Sequence, residues 1–183
     1  YPWAEVENET VIDIGGGGGA LITSLLRGNP KMKGGVYDLP SVIDHIRPFF
    51  AEGGAYSDVG DRVDAGHLKA GDFFKEIPAN SVYAMKWCLH DWLDDDAIKI
   101  LKNIRQAIQD GPNSRLVVLE SILSDQSSGR LSRYGDINMM ITAKGRERTE
   151  AEWHKLAKSA GWRIEKIHPM RNAWVAAIDM RLI

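Results

Sequence analysis

Five consecutive glycines, Gly15 to Gly19, follow directly on the β-branched run Thr10 to Ile14 (TVIDI) and directly precede Ala20 to Arg27 (ALITSLLR). Neither a helix nor a strand is expected to run through such a stretch, because each glycine surrenders more backbone freedom than any other residue when it is fixed in a regular element. The segment therefore reads as strand, tight loop and helix, with Gly28-Asn29-Pro30 closing the helix. Glycines in that loop admit positive φ and let a ligand approach the backbone closely.

The rest of the chain repeats this alternation. Gly35 to Asp38 is a second short strand, and Pro40 opens a helix reaching Phe50. Residues 51–68 are rich in Gly and Asp and read as a loop around a weak third strand near Val63. Ser81 to Trp87 is a near-continuous apolar run, as a strand covered on both faces requires. Asp94, Asp95 and Asp96 then sit where a helix N-terminus favours negative charge, and Ala97, Ile100, Leu101, Ile104, Ala107 and Ile108 form one apolar face, ended by Gly111-Pro112. Arg115 to Glu120 is another buried strand, and Tyr134 to Thr142 and Thr149 to Ala160 read as helices. Arg163 to His168 and Ala173 to Met180 finish as strands, paired antiparallel across a short connection. Strands alternating with helices, without repeats or a dividing linker, give one α/β layered domain spanning 1–183, with a mainly parallel sheet.

Charge narrows the function. Lys plus Arg number 23 against 25 Asp plus Glu, and the pI is near 6.2, so the basic excess of a nucleic-acid binder is missing. No apolar run is long enough to span a bilayer, and the single cysteine, Cys88, excludes an internal disulfide framework and a cysteine-based zinc cluster. A cytoplasmic protein is expected. The opening Tyr1-Pro2-Trp3, with a strand almost at once, has the look of a piece of a longer or processed protein.

Parallel sheets bind ligands beyond the carboxyl ends of their strands. Gly15, Gly17 and Ala20 there satisfy the dinucleotide pattern G-x-G-x-x-A, and Asp38 fits the acid that bonds a ribose hydroxyl. Asp13, inside the first strand end, departs from that pattern; a carboxylate at this point orients the loop and receives a cationic group. Gly71-Asp72-Phe73 supplies another acid and a ring at the same edge, suited to an adenine amino group and base face. The plainer alternative for Asp72 is capping the turn at Phe73-Phe74-Lys75.

With Asp38-Leu39-Pro40, Gly71-Asp72-Phe73 and Lys86-Trp87-Cys88-Leu89-His90-Asp91-Trp92 in this order, the chain resembles the catalytic domain of S-adenosylmethionine-dependent O-methyltransferases of the caffeic acid, flavonoid and fungal polyketide type. The likeness continues through Glu120, Asp136-Ile137-Asn138-Met139-Met140 and Gly145-Arg146-Glu147-Arg148-Thr149-Glu150-Ala151-Glu152-Trp153. It implies a Rossmann-like class I methyltransferase sandwich, α/β, with a mainly parallel seven-stranded sheet whose last strand is antiparallel. It implies S-adenosylmethionine as cofactor, S-adenosylhomocysteine as product and no metal. Gly15 and Gly17 would then lie in the cofactor loop over Asp13, with Gly15 against the methionine portion. Asp38 would hold the ribose, Asp72 and Phe73 would frame the adenine, and Lys86 would contact the cofactor near the end of the fourth strand, where Trp92 would also lie close. His90 would be the catalytic base flanked by Glu120 and Glu147, and Met139 and Met140 would help hold a flat acceptor ring. Members of the family usually carry an N-terminal helical domain that dimerises and closes the substrate pocket; this chain lacks such a segment, so a homodimer is expected only of a longer protein. The acceptor class implied is a phenolic or enolic hydroxyl on a small aromatic natural product.

These residue types suit the reaction on chemical grounds. A phenol with a pKa near 10 becomes a useful nucleophile at neutral pH by losing its proton, and a histidine with an ordinary pKa near 6.5 is neutral often enough to take it. Plainer readings stand beside each assignment. Glu120 suits a rim salt bridge, Glu147 an ordinary pair with Arg146 or Arg148, Asp91 a helix cap, and the methionines core filler. His45, His67, His154 and His168 read as structural. Two rival functions remain: a nicotinamide-dependent oxidoreductase, for which Tyr83 and Lys86 would have to act together, and a methyltransferase-like domain that binds without catalysis.

Overall fold

The computed structural model describes residues 1–63, 66–123, 130–170 and 175–183, with the backbone alone at 130–132. In chain order its elements are β1 (Thr10–Ile14), α1 (Ala20–Gly28), β2 (Lys33–Asp38), α2 (Pro40–Phe50), β3 (Leu68–Ala70), β4 (Val82–Lys86), α3 (Asp94–Ala107), β5 (Arg115–Leu123), α4 (Arg130–Thr142), β6 (Arg148–Thr149), α5 (Glu150–Ser159), β7 (Trp162–Pro169) and β8 (Val175–Leu182). Ala173 and Trp174, expected to begin the last strand, lie outside the described residues.

The strands lie in the order β3-β2-β1-β4-β5-β8-β7. The first five are parallel, and β8 runs antiparallel to both β5 and β7. Seven strands with an antiparallel final strand is thus the main path, and β6 adds a two-residue parallel pairing to the far end of β5. From β1 the chain builds the sheet outward in one direction through β2 and β3, then crosses back to lay β4 on the other side. The carboxyl ends of β1, β2 and β4 therefore border the crevice where such sheets take ligands.

Alternation along the strands divides the core into two layers. Ile12 and Ile14, Tyr83 and Met85, and Leu116 and Val118 face α3 and α5, where Ile100, Leu101, Ile104, Trp153 and Leu156 meet them. Val11, Val36, Val82 and Ala84 face Ile22 and Leu26 of α1 and Ile43 and Ile46 of α2. Covering both faces explains why these strands read as continuous apolar runs. Thr149 caps α5 in a reciprocal box, its side chain accepting from the Glu152 amide while the Glu152 carboxylate accepts from the Thr149 amide.

The third strand differs from expectation. Val63 closes a 3-10 segment, Ser57–Arg62, and packs with Val59 into the α1–α2 layer, while the strand itself forms at Leu68–Ala70. The glycine and acids of Ser57–Arg62 favour turns, so Val63 is buried from a turn instead of a ladder.

Candidate active site

Loops at the carboxyl ends of β1, β2, β3 and β4 enclose a cavity of about 370 Å³ lined by Gly15, Asp38, Leu39, Gly71, Asp72, Phe73, Phe74, Trp87, Cys88, Asp91 and Trp92. Gly15 adopts φ +67°, and a Cβ there would stand 3.0 Å from Cys88 Sγ, so the loop can pass over the cavity floor only without a side chain. Asp38 ends β2 and shapes the loop: its Oδ2 accepts from the Gly17 amide at 2.9 Å and its Oδ1 from the Leu39 amide at 2.7 Å. Each oxygen keeps a lone pair for a ligand hydroxyl. Asp72 caps its own turn, Oδ1 accepting from the Phe74 amide at 2.9 Å, and also faces the cavity. Capping and ligand binding are therefore compatible for this residue. Phe73 and Phe74 meet the Trp92 ring edge-on at 6.0 and 4.7 Å, forming an apolar wall.

Three residues named from the sequence are not among those that line the cavity. Asp13 shares the face of Val11 and lies 2% exposed beneath the loop, its Oδ2 accepting no hydrogen bond. Burial, and next the charge of Asp38, push its pKa up to about 8 against the pull of Lys86. Gly17, at φ +52°, and Lys86 are not among the cavity residues; the Lys86 ammonium lies 4.4 Å over the Trp87 ring. Tyr83 and Lys86 are three residues apart on a strand and so face opposite ways, and the Tyr83 hydroxyl donates to Pro78 O at 2.7 Å. The pairing a hydride-transfer site would need is not formed.

Beside the cavity, β4 runs out into a 3-10 turn, Leu89–Asp91, that carries His90. The turn begins at Trp87, whose φ of +50° is rare for a bulky residue. This bend aims successive amides inward, so that Glu120 Oε1 accepts from the amides of Cys88, Leu89 and His90 at 3.0, 2.9 and 3.3 Å. Glu120 Oε2 lies 3.5 Å from His90 Nδ1, and Glu147 Oε1 makes the close contact to the same nitrogen at 3.0 Å. His90, Glu120 and Glu147 are all buried. Burial would lower the His90 pKa, but the hydrogen bond to Glu147 and the charges of Glu120 and Glu147 outweigh it and raise it. Burial raises Glu120 in turn, to about 7. With Nδ1 turned to Glu147, Nε2 remains to meet a ligand; its nearest acid, Asp91 Oδ1, is 3.6 Å away.

The plain ion-pair reading of Glu147 fails, because Arg146 pairs with Glu152 and Arg148 with Asp94. The capping reading of Asp91 fails too, since α3 begins at Asp94 with Leu93 as its N-cap residue and no side-chain cap. Neither methionine is among the cavity residues: Met139 is half-buried, and Met140 is 63% exposed on the side of α4 that also presents Ile137 and Ile141. Trp87, Cys88, Leu39 and Phe74 line the cavity without having been singled out in sequence. Burial, then the nearby carboxylates led by Glu120, raise the Cys88 thiol pKa and keep it neutral. No helix among the described residues is long and apolar enough to cross a membrane.

A family model described as an O-methyltransferase domain matches residues 6–163. O-methyltransferase aclM of Aspergillus oryzae is 55% identical over 182 residues, covering 99% of this chain and 42% of that protein. Among solved structures, the mitomycin 7-O-methyltransferase MmcR superposes with a TM-score of 0.87 at 30% identity, over 100% of this chain and 51% of that one. The O-methyltransferase NcsB1 from neocarzinostatin biosynthesis, in complex with S-adenosyl-L-homocysteine and 1,4-dihydroxy-2-naphthoic acid, gives a TM-score of 0.82 at 29% identity, again over 100% of this chain and 51% of that one. The chain thus spans about half, or less, of the length of these relatives.

Proposed function

The chain belongs to the O-methyltransferase domain family, and from that premise we propose that it binds S-adenosylmethionine in the 370 Å³ cavity and methylates a phenolic or enolic hydroxyl of a small aromatic acceptor, with His90 as general base. The observation that carries this reading is the His90–Glu147 contact of 3.0 Å, set in a buried turn whose neighbours Cys88, Asp91 and Trp92 line the cavity. NcsB1, solved with S-adenosyl-L-homocysteine and 1,4-dihydroxy-2-naphthoic acid, supports both the cofactor and the acceptor class.

The residues present fit such a cofactor. Asp38 offers acceptors for ribose hydroxyls, Asp72 with the Phe73 ring offers an edge and a face for adenine, and Gly15 leaves room for the amino-acid portion. Asp13 supports the loop from beneath, Gly17 ties it to Asp38 through its amide, and Lys86 supports the wall by holding Trp87. The bound sulfonium group would supply an electrophilic methyl to the acceptor oxygen and keep the C–S electron pair on sulfur. Everything else falls to the protein. Glu147 holds the proton of Nδ1, so Nε2 is the lone-pair nitrogen that takes the acceptor's proton. The imidazolium that results sits between two carboxylates, which stabilise it as orienting acids do in hydrolase triads. A base so placed typically contributes about 10²–10⁴ in rate. Met139 and Met140 on α4 are assigned to the flat face of the acceptor, and the relatives' additional length to closing the acceptor side and to dimerisation.

Calorimetric titration with S-adenosylhomocysteine, against NAD and NADP as controls, tests the reading. Binding of S-adenosylhomocysteine alone is the expected result. Selective nicotinamide binding, or no response to any of the three, overturns it for this chain.

A further inference from the structure

We propose that Arg148 is a positioning residue for the base: its guanidinium fixes the turn that carries His90 and thereby holds imidazole, Glu147 and the Trp92 wall of the cavity in one arrangement. This rests on the assignment of His90 above and adds a residue with no role in it. Arg148 is 0% exposed, an unusual state for an arginine. Its Nη1 donates to Leu89 O at 3.0 Å and its Nη2 to Trp92 O at 2.7 Å, one carbonyl on each side of His90. The same guanidinium reaches Asp94 Oδ1 with Nε at 3.0 Å and lies 5.4 Å over the Trp153 ring.

The turn is held from two sides. Its amides at 88, 89 and 90 are gathered by Glu120. Its carbonyls are gathered by the segment that follows α4: the Arg146 amide donates to His90 O at 2.8 Å, and Arg148 takes Leu89 O and Trp92 O. Between those two grips stands Glu147, bonded to His90 Nδ1. Three consecutive residues thus each seize the turn, and β6 stitches them to β5 through the Ile122–Arg148 register. Gly145 completes the contact, since a Cβ there would fall 1.9 Å from His90 O. The planar fork matters because it serves two carbonyls and a carboxylate in fixed directions, which an ammonium on a flexible stem cannot reproduce. Asp94 is the solvent-side partner, its side chain 46% exposed, and its removal leaves both carbonyl grips in place.

The test uses Arg148→Lys and Arg148→Gln, with Asp94→Asn as control. Two readouts are taken on folded protein: the His90 ring titration by NMR on histidine-labelled chain, and S-adenosylhomocysteine affinity by calorimetry. The charged and titratable groups facing His90 are Glu147, Glu120 and Asp91. Both Arg148 variants should move the His90 midpoint down by about half a unit or more as the Glu147 contact loosens, and weaken S-adenosylhomocysteine by about tenfold as Trp92 shifts. Asp94→Asn should leave both unchanged. The inference is overturned when either Arg148 variant melts at a lower temperature but keeps the wild-type titration and affinity, which is what a merely structural arginine predicts. It is equally overturned when Asp94→Asn reproduces the full effect. Failure of the functional reading looks different: wild type itself then does not bind S-adenosylhomocysteine, while the His90 readout still reports on Arg148.

Discussion

Replacing Asp13 by Asn should change how stability depends on pH, with a slope fixed by the surroundings of this carboxyl. In the folded chain its pKa is raised from 3.8 to about 8, first by burial, then by Asp38, with Lys86 only partly opposing. Below about pH 4 the group is protonated in folded and unfolded chains alike and contributes nothing. Between about pH 4 and 8 the unfolded chain releases the proton while the folded chain keeps it, so the wild type loses about 1.4 kcal/mol per pH unit relative to a variant that cannot ionise. From pH 5 to 7 the unfolding free energy of Asp13→Asn should therefore gain about 2.7 kcal/mol on wild type, levelling off above about pH 8. Urea unfolding of both proteins at pH 5, 6, 7 and 8 measures this difference, and using the slope removes any constant penalty from the new amide. Two parallel stability curves would refute the reasoning, because they would mean that Asp13 is ionised in the fold and neutralised by Lys86 or by loop amides.

The catalytic assignment makes further predictions. His90→Gln should lower methyl transfer by about 10²–10⁴ while leaving S-adenosylhomocysteine affinity nearly intact; equal loss of both would point to a collapsed turn. Because Glu147 helps raise the His90 pKa and the base must be neutral to act, wild-type activity should fall as pH drops through a midpoint above the ordinary histidine value, and Glu147→Gln should move that acid limb to lower pH; an unmoved limb in a rate–pH profile argues against His90 as base. Gly15→Ala forces a side chain to φ +67° against Cys88 Sγ, so it should cost about 1–2 kcal/mol of stability by urea unfolding and remove most cofactor affinity by calorimetry. Unchanged affinity would put the ligand elsewhere.

Where local chemistry decided the structure, residue patterns were enough to find it. β1 and α2 have the expected bounds because β-branched residues before a glycine loop, and a proline at a helix's first turn, leave little choice. His90 was recognisable as the residue just past a buried strand. Trp87 was not: its left-handed backbone goes together with the convergence of three amides on Glu120, and nothing about tryptophan announces it. Arg148 was hidden for the opposite reason. In a stretch reading Arg-Glu-Arg a solvated ion pair is the ordinary outcome, and only the tertiary approach of α3 and the His90 turn buries one arginine and leaves the other with Glu152. Val63 shows the same limit, since an apolar residue among glycines and acids can be buried from a strand or from a turn.

The acids that accept from backbone amides at this sheet edge bear on which ligands the site favours. In many nucleotide sites, backbone amides of a glycine loop or a tight turn are the part that grips phosphate. Here the Gly17 amide is already given to Asp38, and the amides of 88, 89 and 90 to Glu120. The cavity wall adds Asp72 and Asp91 and includes neither lysine nor arginine among the described residues. A pyrophosphate entering would bring negative charge up to these carboxylates, whereas a ligand bearing a sulfonium meets charge of the opposite sign. Asp38 on the glycine loop and Glu120 under the 88–90 turn thus place negative charge at this sheet edge, where a cationic group is welcome and a phosphate is repelled.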